Sequence, residues 1–312
     1  MSELRWMHLN KDVVQPWAEL TNLLAKVDGT EEYYEPEDLA EELEETGMDP
    51  AQDTWTVWDG DRLVAFGQLR VGFTTQEDDT VRCQLDGGVH PDWRRRGIGR
   101  ELMDKMEQRA RDLNQERNPG LPGTLRAGGG LEGSSARSML HARGYEEARY
   151  FILMERPMPG DPLEVDGEEF ASPTVEDEEA VRIAHNAAFE DHWGTAPMTP
   201  ERWHDFYAGR PMRPQFSSIS RRDDGAVDAY VLISQYLDDE LYVDLVGTIR
   251  EARGTGLASR AMARSIELAR GAEGIKVLGL DVDSESPTGA TRVYERLGFV
   301  EKHVTAAMTR PL

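Results

Sequence analysis

Two glycine-containing loops in the sequence carry residue types that bind phosphate groups. The first contains Arg94, Arg95, Arg96, Gly97, Ile98, Gly99 and Arg100, and the second contains Arg253, Gly254, Thr255, Gly256, Leu257 and Ala258. Glycine lets the backbone approach an anion closely, and arginine adds charge-assisted hydrogen bonds. Each loop precedes a predicted helix, whose first N–H groups are unpaired and carry partial positive charge. The loops predict phosphate binding, although neither has the glycine spacing of dinucleotide or P-loop sites.

The two loops belong to an internal duplication. Arg253 follows Arg94 by 159 residues, and a second landmark, Gly298-Phe299, follows Gly144-Tyr145 by 154 residues. Two ordered landmarks at nearly equal offsets indicate a repeated domain. Segment 156–162 contains three prolines and predicts a linker, because proline removes backbone donors and disfavours helix. We therefore predict domains at residues 1–158 and 159–312.

Each copy has the same order of predicted elements. Runs rich in β-forming residues flank Asp59-Gly60-Asp61 and Asp223-Asp224-Gly225, which predicts a hairpin in each copy. A strand leads into each loop, at about 82–89 and 241–248, and a helix with an apolar face follows. A further strand, a short helix ending in glycine and a last strand complete the copy. This order predicts an α+β fold in which a mixed, mostly antiparallel sheet is flanked by helices.

Composition restricts the classes of function. The chain has 312 residues and a net charge of -24, which excludes nucleic acid and anionic membrane as expected partners because phosphate repulsion would dominate. The sequence has no apolar run that could cross a membrane and no export signal at its start, so a cytoplasmic protein is expected. A single cysteine, Cys83, and the spacing of His185, His192 and His204 argue against a metal site. The acidic charge suits a small-molecule amine as substrate, and solubility or a high-salt or acid-biased proteome is the alternative explanation of the charge.

Three segments resemble the GCN5-related N-acetyltransferase (GNAT) superfamily in tandem form. They are residues 89–102, 248–262 and 282–299. The resemblance implies acetyl-CoA as the donor, with its pyrophosphate on the loop amides. It also implies that pantetheine runs beside the strand before the loop, near Val246 and Thr248 in the second copy and Val89 in the first. Among tandem members, the layout is similar to that of the mycothiol synthases.

The resemblance also distinguishes the two copies. Tyr294 occupies the position of the family's general acid, and a phenol with a pKa near 10 can donate a proton to a departing thiolate. The backbone N–H near Val246 is the implied oxyanion donor. The first copy has Leu140 at the matching position, and leucine cannot donate a proton. We expect catalysis in the second copy and a silent first copy, and whether the first copy binds CoA stays open.

The general base is predicted on the strand before the second loop. Tyr242 and Asp244 alternate onto one face there, and related families often use an acidic residue at this place. We therefore predict Asp244 as the base. Asp281 and Asp283, on the next predicted strand, are the competing carboxylates.

The acceptor side is predicted between the first two helices of the second copy. Glu190, His192 and Trp193 lie there, and an aromatic ring among carboxylates suits an amine through charge and cation–π contact. An ordinary cluster at a helix end is the alternative.

Two departures from the family pattern keep three functions open. Ser286 replaces a frequent asparagine, and Thr255 replaces an arginine, which weakens the expected pyrophosphate site in the copy that has Tyr294. The first function is acetylation of a primary amine on a small molecule, by a monomer or a homodimer. The second is a mycothiol-synthase-like acetylation of a cysteinyl-sugar amine. The third is CoA binding by a regulatory protein without catalysis.

Overall fold

The computed structural model describes residues 3–165, 170–286 and 289–312. The chain forms two compact units: the first consists of residues 1–150 and 304–312, and the second of residues 151–303. Each unit contains one of the two glycine loops. Within the described ranges, no helix is long and apolar enough to span a bilayer.

The first unit has a sheet with helices on both faces. Its helices are α1 (Val14–Asp28), α2 (Pro36–Glu42), α3 (Pro50–Asp53), α4 (Ile98–Arg117) and α5 (Ser135–Ala142). Its strands are β1 (Arg5–Met7), β2 (Thr54–Asp59), β3 (Arg62–Thr75), β4 (Val81–Val89) and β5 (Gly123–Gly130), joined by the end of β11 (Val300–Pro311). The strand order is β1-β2-β3-β4-β5-β11, and only β4 and β5 are parallel neighbours within this order. Helices α4 and α5 pack in one core cluster, and α1 and α2 in another.

The second unit repeats this plan. Its helices are α6 (Glu178–Ala188), α7 (Pro200–Tyr207), α8 (Leu257–Arg270) and α9 (Ala290–Arg296). Its strands are the end of β6 (Glu146–Pro157), β7 (Ser218–Arg221), β8 (Val227–Leu237), β9 (Glu240–Thr248) and β10 (Val277–Asp283). The order is β6-β10-β9-β8-β7, with β9 and β10 parallel. Helices α8 and α9 share one core cluster, and α6 and α7 share the other.

These observations confirm the predicted α+β fold with a mixed, mostly antiparallel sheet. The two predicted hairpins form as β2–β3 and β7–β8. The predicted apolar faces of the helices after the loops are buried: Leu102, Met106, Ala110 and Leu113 on α4, and Leu257, Ala261, Ile266 and Ala269 on α8.

The last strand of each sequence copy pairs with the sheet that contains the other copy's strands. Residues 151–157 of β6 pair with β10, and residues 306–311 of β11 pair with β5. A buried arginine anchors the first exchange, since Arg156 donates from Nε to the carbonyl of Leu297, at 2.8 Å. Arg310 makes the matching bond to the carbonyl of Arg143, also at 2.8 Å. The division into compact units therefore differs from the boundary after residue 158, because a strand pattern does not specify the partner strand.

Candidate active site

The two glycine loops have the same backbone conformation. The φ angles are 63° at Arg95 and 88° at Gly97, against 77° at Gly254 and 78° at Gly256. Left-handed residues in such a loop turn successive N–H groups towards one side, which makes an anion-binding concavity. The helix after each loop starts directly at its end, at Ile98 or Leu257. Both loops are therefore shaped for an anion.

The first arginine of each loop contacts protein atoms. Arg94 donates to the carbonyl of Val89 at 3.0 Å and to both carboxylate oxygens of Asp28, at 2.8 and 2.5 Å. Arg253 donates to the carbonyl of Thr248 at 3.3 Å and to that of Ala188 at 2.7 Å. These guanidinium groups hold each loop against the preceding strand and the end of α1 or α6. A ligand on the loops would therefore meet the backbone N–H groups rather than these two side chains.

Other cations lie closer to the surface of each loop. Arg95, Arg96 and Arg100 are exposed in the first loop. In the second, Thr255 donates to the carbonyl of Ala252 at 2.8 Å and thereby stabilises the turn. Arg260, in the first turn of α8, donates to the carbonyl of Thr255 at 2.9 Å. Sequence reasoning missed Arg260, which places a cation beside the loop that has threonine in place of arginine.

The parallel strands separate beside each loop. Strands β9 and β10 pair up to Val243 and Leu280, and β4 and β5 pair up to Leu85 and Ala127. In the second unit the separated part of β9 contains Val246 and Thr248. The hydroxyl oxygen of Thr248 is buried and has no hydrogen-bond partner among the described residues. An extended ligand with amide groups would supply such a partner, so Thr248 fits the predicted pantetheine position.

A β-bulge on β9 places Asp244. Leu232 pairs with Leu245 whereas Ile233 pairs with Val243, so Asp244 is the extra residue. Strand β4 pairs with β3 in unbroken register from residue 83 to 89. Asp244 therefore has no counterpart in the first unit, and bulges of this kind often redirect a side chain next to an active site.

Asp244 has the environment of a proton acceptor near neutral pH. It accepts a short hydrogen bond from the hydroxyl of Ser234 and a bond of 3.3 Å from Tyr236. Protein atoms enclose the carboxyl group although part of the residue remains accessible. Burial raises the pKa of Asp244 to about 7, and the two hydroxyl groups offset part of that shift. Sequence reasoning missed Ser234 and Tyr236, which no motif marks.

Tyr294 lies on the other face of the same sheet. It is 8% exposed and belongs to the core cluster of α8, which includes Ile233. Ser234, the partner of Asp244, follows Ile233 and faces the opposite side, because side chains alternate along a strand. The Tyr294 ring packs edge-on against Phe299 at 5.9 Å between centroids. Burial raises the pKa of Tyr294 to about 12, so the hydroxyl is protonated at neutral pH.

The competing carboxylates have partners of their own. Asp281 is exposed and accepts a hydrogen bond from Tyr242 at 2.6 Å. Asp283 is buried and accepts one from the backbone N–H of Glu285 at 2.9 Å, which is a turn contact. Ser286, the departure from the family pattern, donates its N–H to the Asp283 carbonyl at 3.0 Å.

The predicted acceptor residues lie between α6 and α7, as expected. Glu190 is exposed and lies 3.9 Å from Arg250, just before the glycine loop. His192 is stacked obliquely on Phe189 at 5.2 Å between ring centroids. Trp193 lies 6.4 Å from the ring of Phe151, a residue of β6 that pairs opposite Asp283. The structure thus brings Trp193 towards the end of β10 and Glu190 towards the loop.

The first unit has different side chains at the positions of the acid and the base. Leu140 is 2% exposed and packs in the core of α4 and α5. On the other face, Arg70 of β3 occupies the position that Ser234 has on β8. Arg70 lies three residues after the residue that pairs with Gly87, and Ser234 lies three residues after the one that pairs with Val246.

Arg70 is held by three carboxylates. Its guanidinium contacts Glu42 at 2.7 Å, Glu45 at 2.9 Å and Asp86 at 3.4 Å. The carboxylates raise the pKa of Arg70 against the opposing effect of burial, so it stays charged. An ion-pair network therefore occupies the place at which the second unit has Asp244, Ser234 and Tyr236.

Comparisons with known proteins agree with this fold. The model of the acetyltransferase (GNAT) family matches residues 17–118 and 179–299. The mycothiol acetyltransferase of Thermomonospora curvata is 29% identical over 228 residues, which covers 72% of this chain and 72% of that protein. A GCN5-related N-acetyltransferase from Sphaerobacter thermophilus has a TM-score of 0.74 at 22% identity, covering 99% of this chain and 95% of the other. A tandem GNAT protein from the clavulanic acid biosynthesis pathway has a TM-score of 0.69 at 19% identity, covering 99% and 98%. The tandem resemblance predicted from the loops is confirmed.

Proposed function

Because the chain belongs to the GNAT family of N-acetyltransferases, we propose that its second unit transfers the acetyl group of acetyl-CoA to a primary amine of a small molecule. The observation that carries this proposal is the placement of Asp244 and Tyr294 on opposite faces of the sheet in which β9 and β10 separate. Attack of an amine on a thioester releases a proton at nitrogen and requires one at sulfur. A base on one face and an acid on the other meet that requirement.

The residues of the second loop fit a CoA ester. The amide groups between Gly254 and Ala258 would bind the pyrophosphate, with Arg260 as the nearby cation. The buried hydroxyl of Thr248 would bond the pantetheine arm. Arg253 would act indirectly, by holding the loop against β9. When bound, the acetyl thioester supplies the acyl group and a thiolate leaving group.

Three groups of the chain would then act on the reacting atoms. Asp244 takes the proton from the acceptor amine, which its pKa of about 7 permits at neutral pH. The N–H of Val246, on the separated part of β9, donates to the oxygen that becomes negative. Tyr294 donates a hydrogen bond to the departing sulfur. With a pKa of about 12, complete proton transfer from Tyr294 to a thiolate would cost about 5 kcal/mol, so the hydrogen bond itself is its main contribution.

We propose that the first unit is catalytically silent. Leu140 replaces the acid, and the Arg70 ion pairs occupy the place of the base. Its loop keeps the anion-binding backbone and three exposed arginines, so CoA binding there is a separate proposal. Calorimetric titration with CoA distinguishes two sites per chain from one.

A cysteinyl-sugar amine is the second candidate acceptor. It is favoured by the similarity to mycothiol acetyltransferases, which extends over about two thirds or more of each chain. A panel of primary amines that includes a cysteinyl amino sugar, with thiol release from acetyl-CoA as the readout, tests both candidates. If acetyl-CoA fails to raise the melting temperature, the proposed function is wrong. If it raises the melting temperature and no amine releases thiol, the chain is a CoA-binding regulator instead.

A further inference from the structure

Two carboxylates flank the point at which β9 and β10 separate. The last paired residues are Val243 and Leu280, and the next residues along the two strands are Asp244 and Asp281. Neighbouring paired strands lie about 5 Å apart, and the two aspartates are the first residues beyond the last pair, so they stand at the opening of the gap between the strands. Asp244 follows Val243 and Asp281 follows Leu280, and both preceding residues belong to the core cluster of α8. Because side chains alternate along a strand, both aspartates face away from α8.

Each of these carboxylates is paired with a tyrosine. Tyr236 donates to Asp244 at 3.3 Å, and Tyr242 donates to Asp281 at 2.6 Å. The two rings lie 6.5 Å apart between centroids, at an angle of 70°. Gly279 allows this arrangement, since a Cβ there would come within 3.2 Å of the Tyr242 ring. The same combination of a carboxylate and an aromatic ring therefore occurs twice on one face.

We infer that the acceptor is a diamine-type dication, with its reacting amine at Asp244 and its second ammonium group at Asp281. The inference rests on the proposed function and specifies the substrate class of that same site. A carboxylate beside an aromatic ring attracts an ammonium group through charge and through the face of the ring. Asp281 is exposed and so can be reached by a ligand. His303 also interacts with Asp281. A second ammonium group would displace His303 from this carboxylate or share the carboxylate with it.

The reaction is balanced with this substrate. The new N–C bond forms at the first amine as the thioester C–S bond breaks, and the sulfur leaves with the bonding pair. Asp244 receives the proton that the attacking nitrogen loses. The second ammonium group keeps its protons and serves only to hold the substrate.

Two acceptors of equal chain length test the inference in the wild-type protein. Butane-1,4-diamine carries two charges and butan-1-amine carries one. We expect the kcat/KM for the diamine to be higher by about 10–100-fold, the value of an ion pair assisted by an aromatic ring. Equal values, or a higher value for the amino sugar glucosamine, would overturn the inference. Binding of acetyl-CoA without transfer to these amines or to any amine of the wider panel, the cysteinyl amino sugar included, would instead overturn the proposed function.

Variants then assign the preference to Asp281. Asp281→Asn should lower the kcat/KM for butane-1,4-diamine to about that for butan-1-amine, because the second ammonium group loses its partner. Asp239→Asn is the matched control: it removes one exposed carboxylate of the same unit, which pairs with Lys276, and should leave the preference unchanged. An Asp281→Asn variant that lowers both acceptors by the same factor would show that Asp281 does not select the second charge.

Discussion

Replacement of Asp244 by asparagine should make the protein more stable at high pH while it removes activity. The carboxyl has a pKa of about 7 in the folded chain against an ordinary value of 3.8, so the folded state binds the proton more tightly than the unfolded state does. A group with a raised pKa stabilises the fold fully only below its unfolded pKa. That contribution is lost as the pH rises to the folded pKa, and above this pH the ionised carboxylate lowers the free energy of unfolding.

The size of the effect follows from the two pKa values. Relative to a side chain that does not titrate, ionisation of Asp244 costs the fold about 2 kcal/mol at pH 5 and about 4 kcal/mol at pH 8. The free energy of unfolding of Asp244→Asn, minus that of wild type, should therefore rise by about 2–3 kcal/mol between these pH values. Urea unfolding at pH 5 and pH 8 measures the difference. The same variant should lower acetyl transfer by about 10²- to 10⁴-fold.

The control is Asp239→Asn. Its hydrogen bond from Lys276 lowers the pKa of Asp239, so this carboxylate stays ionised across the whole interval. Its effect on stability should then be equal at pH 5 and pH 8. If the Asp244→Asn difference is equally independent of pH, Asp244 is not a carboxyl titrating near neutrality and its assignment as the base loses its physical support.

Three further predictions concern the acid, the first loop and strand β9. Tyr294→Phe should lower kcat by about 100-fold with little change in stability, since the ring contacts remain; an unchanged kcat at neutral pH would remove the acid assignment. Arg95→Gly should raise the free energy of unfolding by about 1 kcal/mol, because Arg95 has a φ of 63°. Its neighbour Arg96 has no positive φ, so Arg96→Gly should not stabilise, and equal effects in urea unfolding would contradict the argument. Gly247→Ala should lower stability by about 2–3 kcal/mol, because the new Cβ would lie 2.3 Å from the buried ring of Tyr230; an unaltered melting temperature would show that the ring can move.

Local elements of the fold could be predicted from the sequence, and their long-range partners could not. The turns at Gly60 and Gly225 and the apolar faces of α4 and α8 are set by neighbouring residues, so pattern alone finds them. The exchange of β6 and β11 depends on which sheet edge each strand meets. The two strands come from equivalent places in the repeat, and their local patterns contain nothing that distinguishes their own edge from the other copy's edge.

The candidate site shows the same limit. Alternation correctly places Tyr242 and Asp244 on one face, but it does not reveal that Asp244 is the extra residue of a bulge. The motif identifies Arg94 and Arg253 as loop arginines, yet their guanidinium groups contact Asp28 and Ala188, which lie far away in sequence. The roles of these residues as ligands to CoA stay predictions.

The exchanged strands also bear on how such a chain can evolve. A fragment cut at the proline-rich segment near residue 160 would keep β11 but lose β6, and β10 would be left with an open edge. To close that edge, such a fragment would have to pair its own last strand, β11, with β10 instead of with β5. The first copy thus has a structural role that is independent of any ligand, because it supplies a strand of the second unit's sheet.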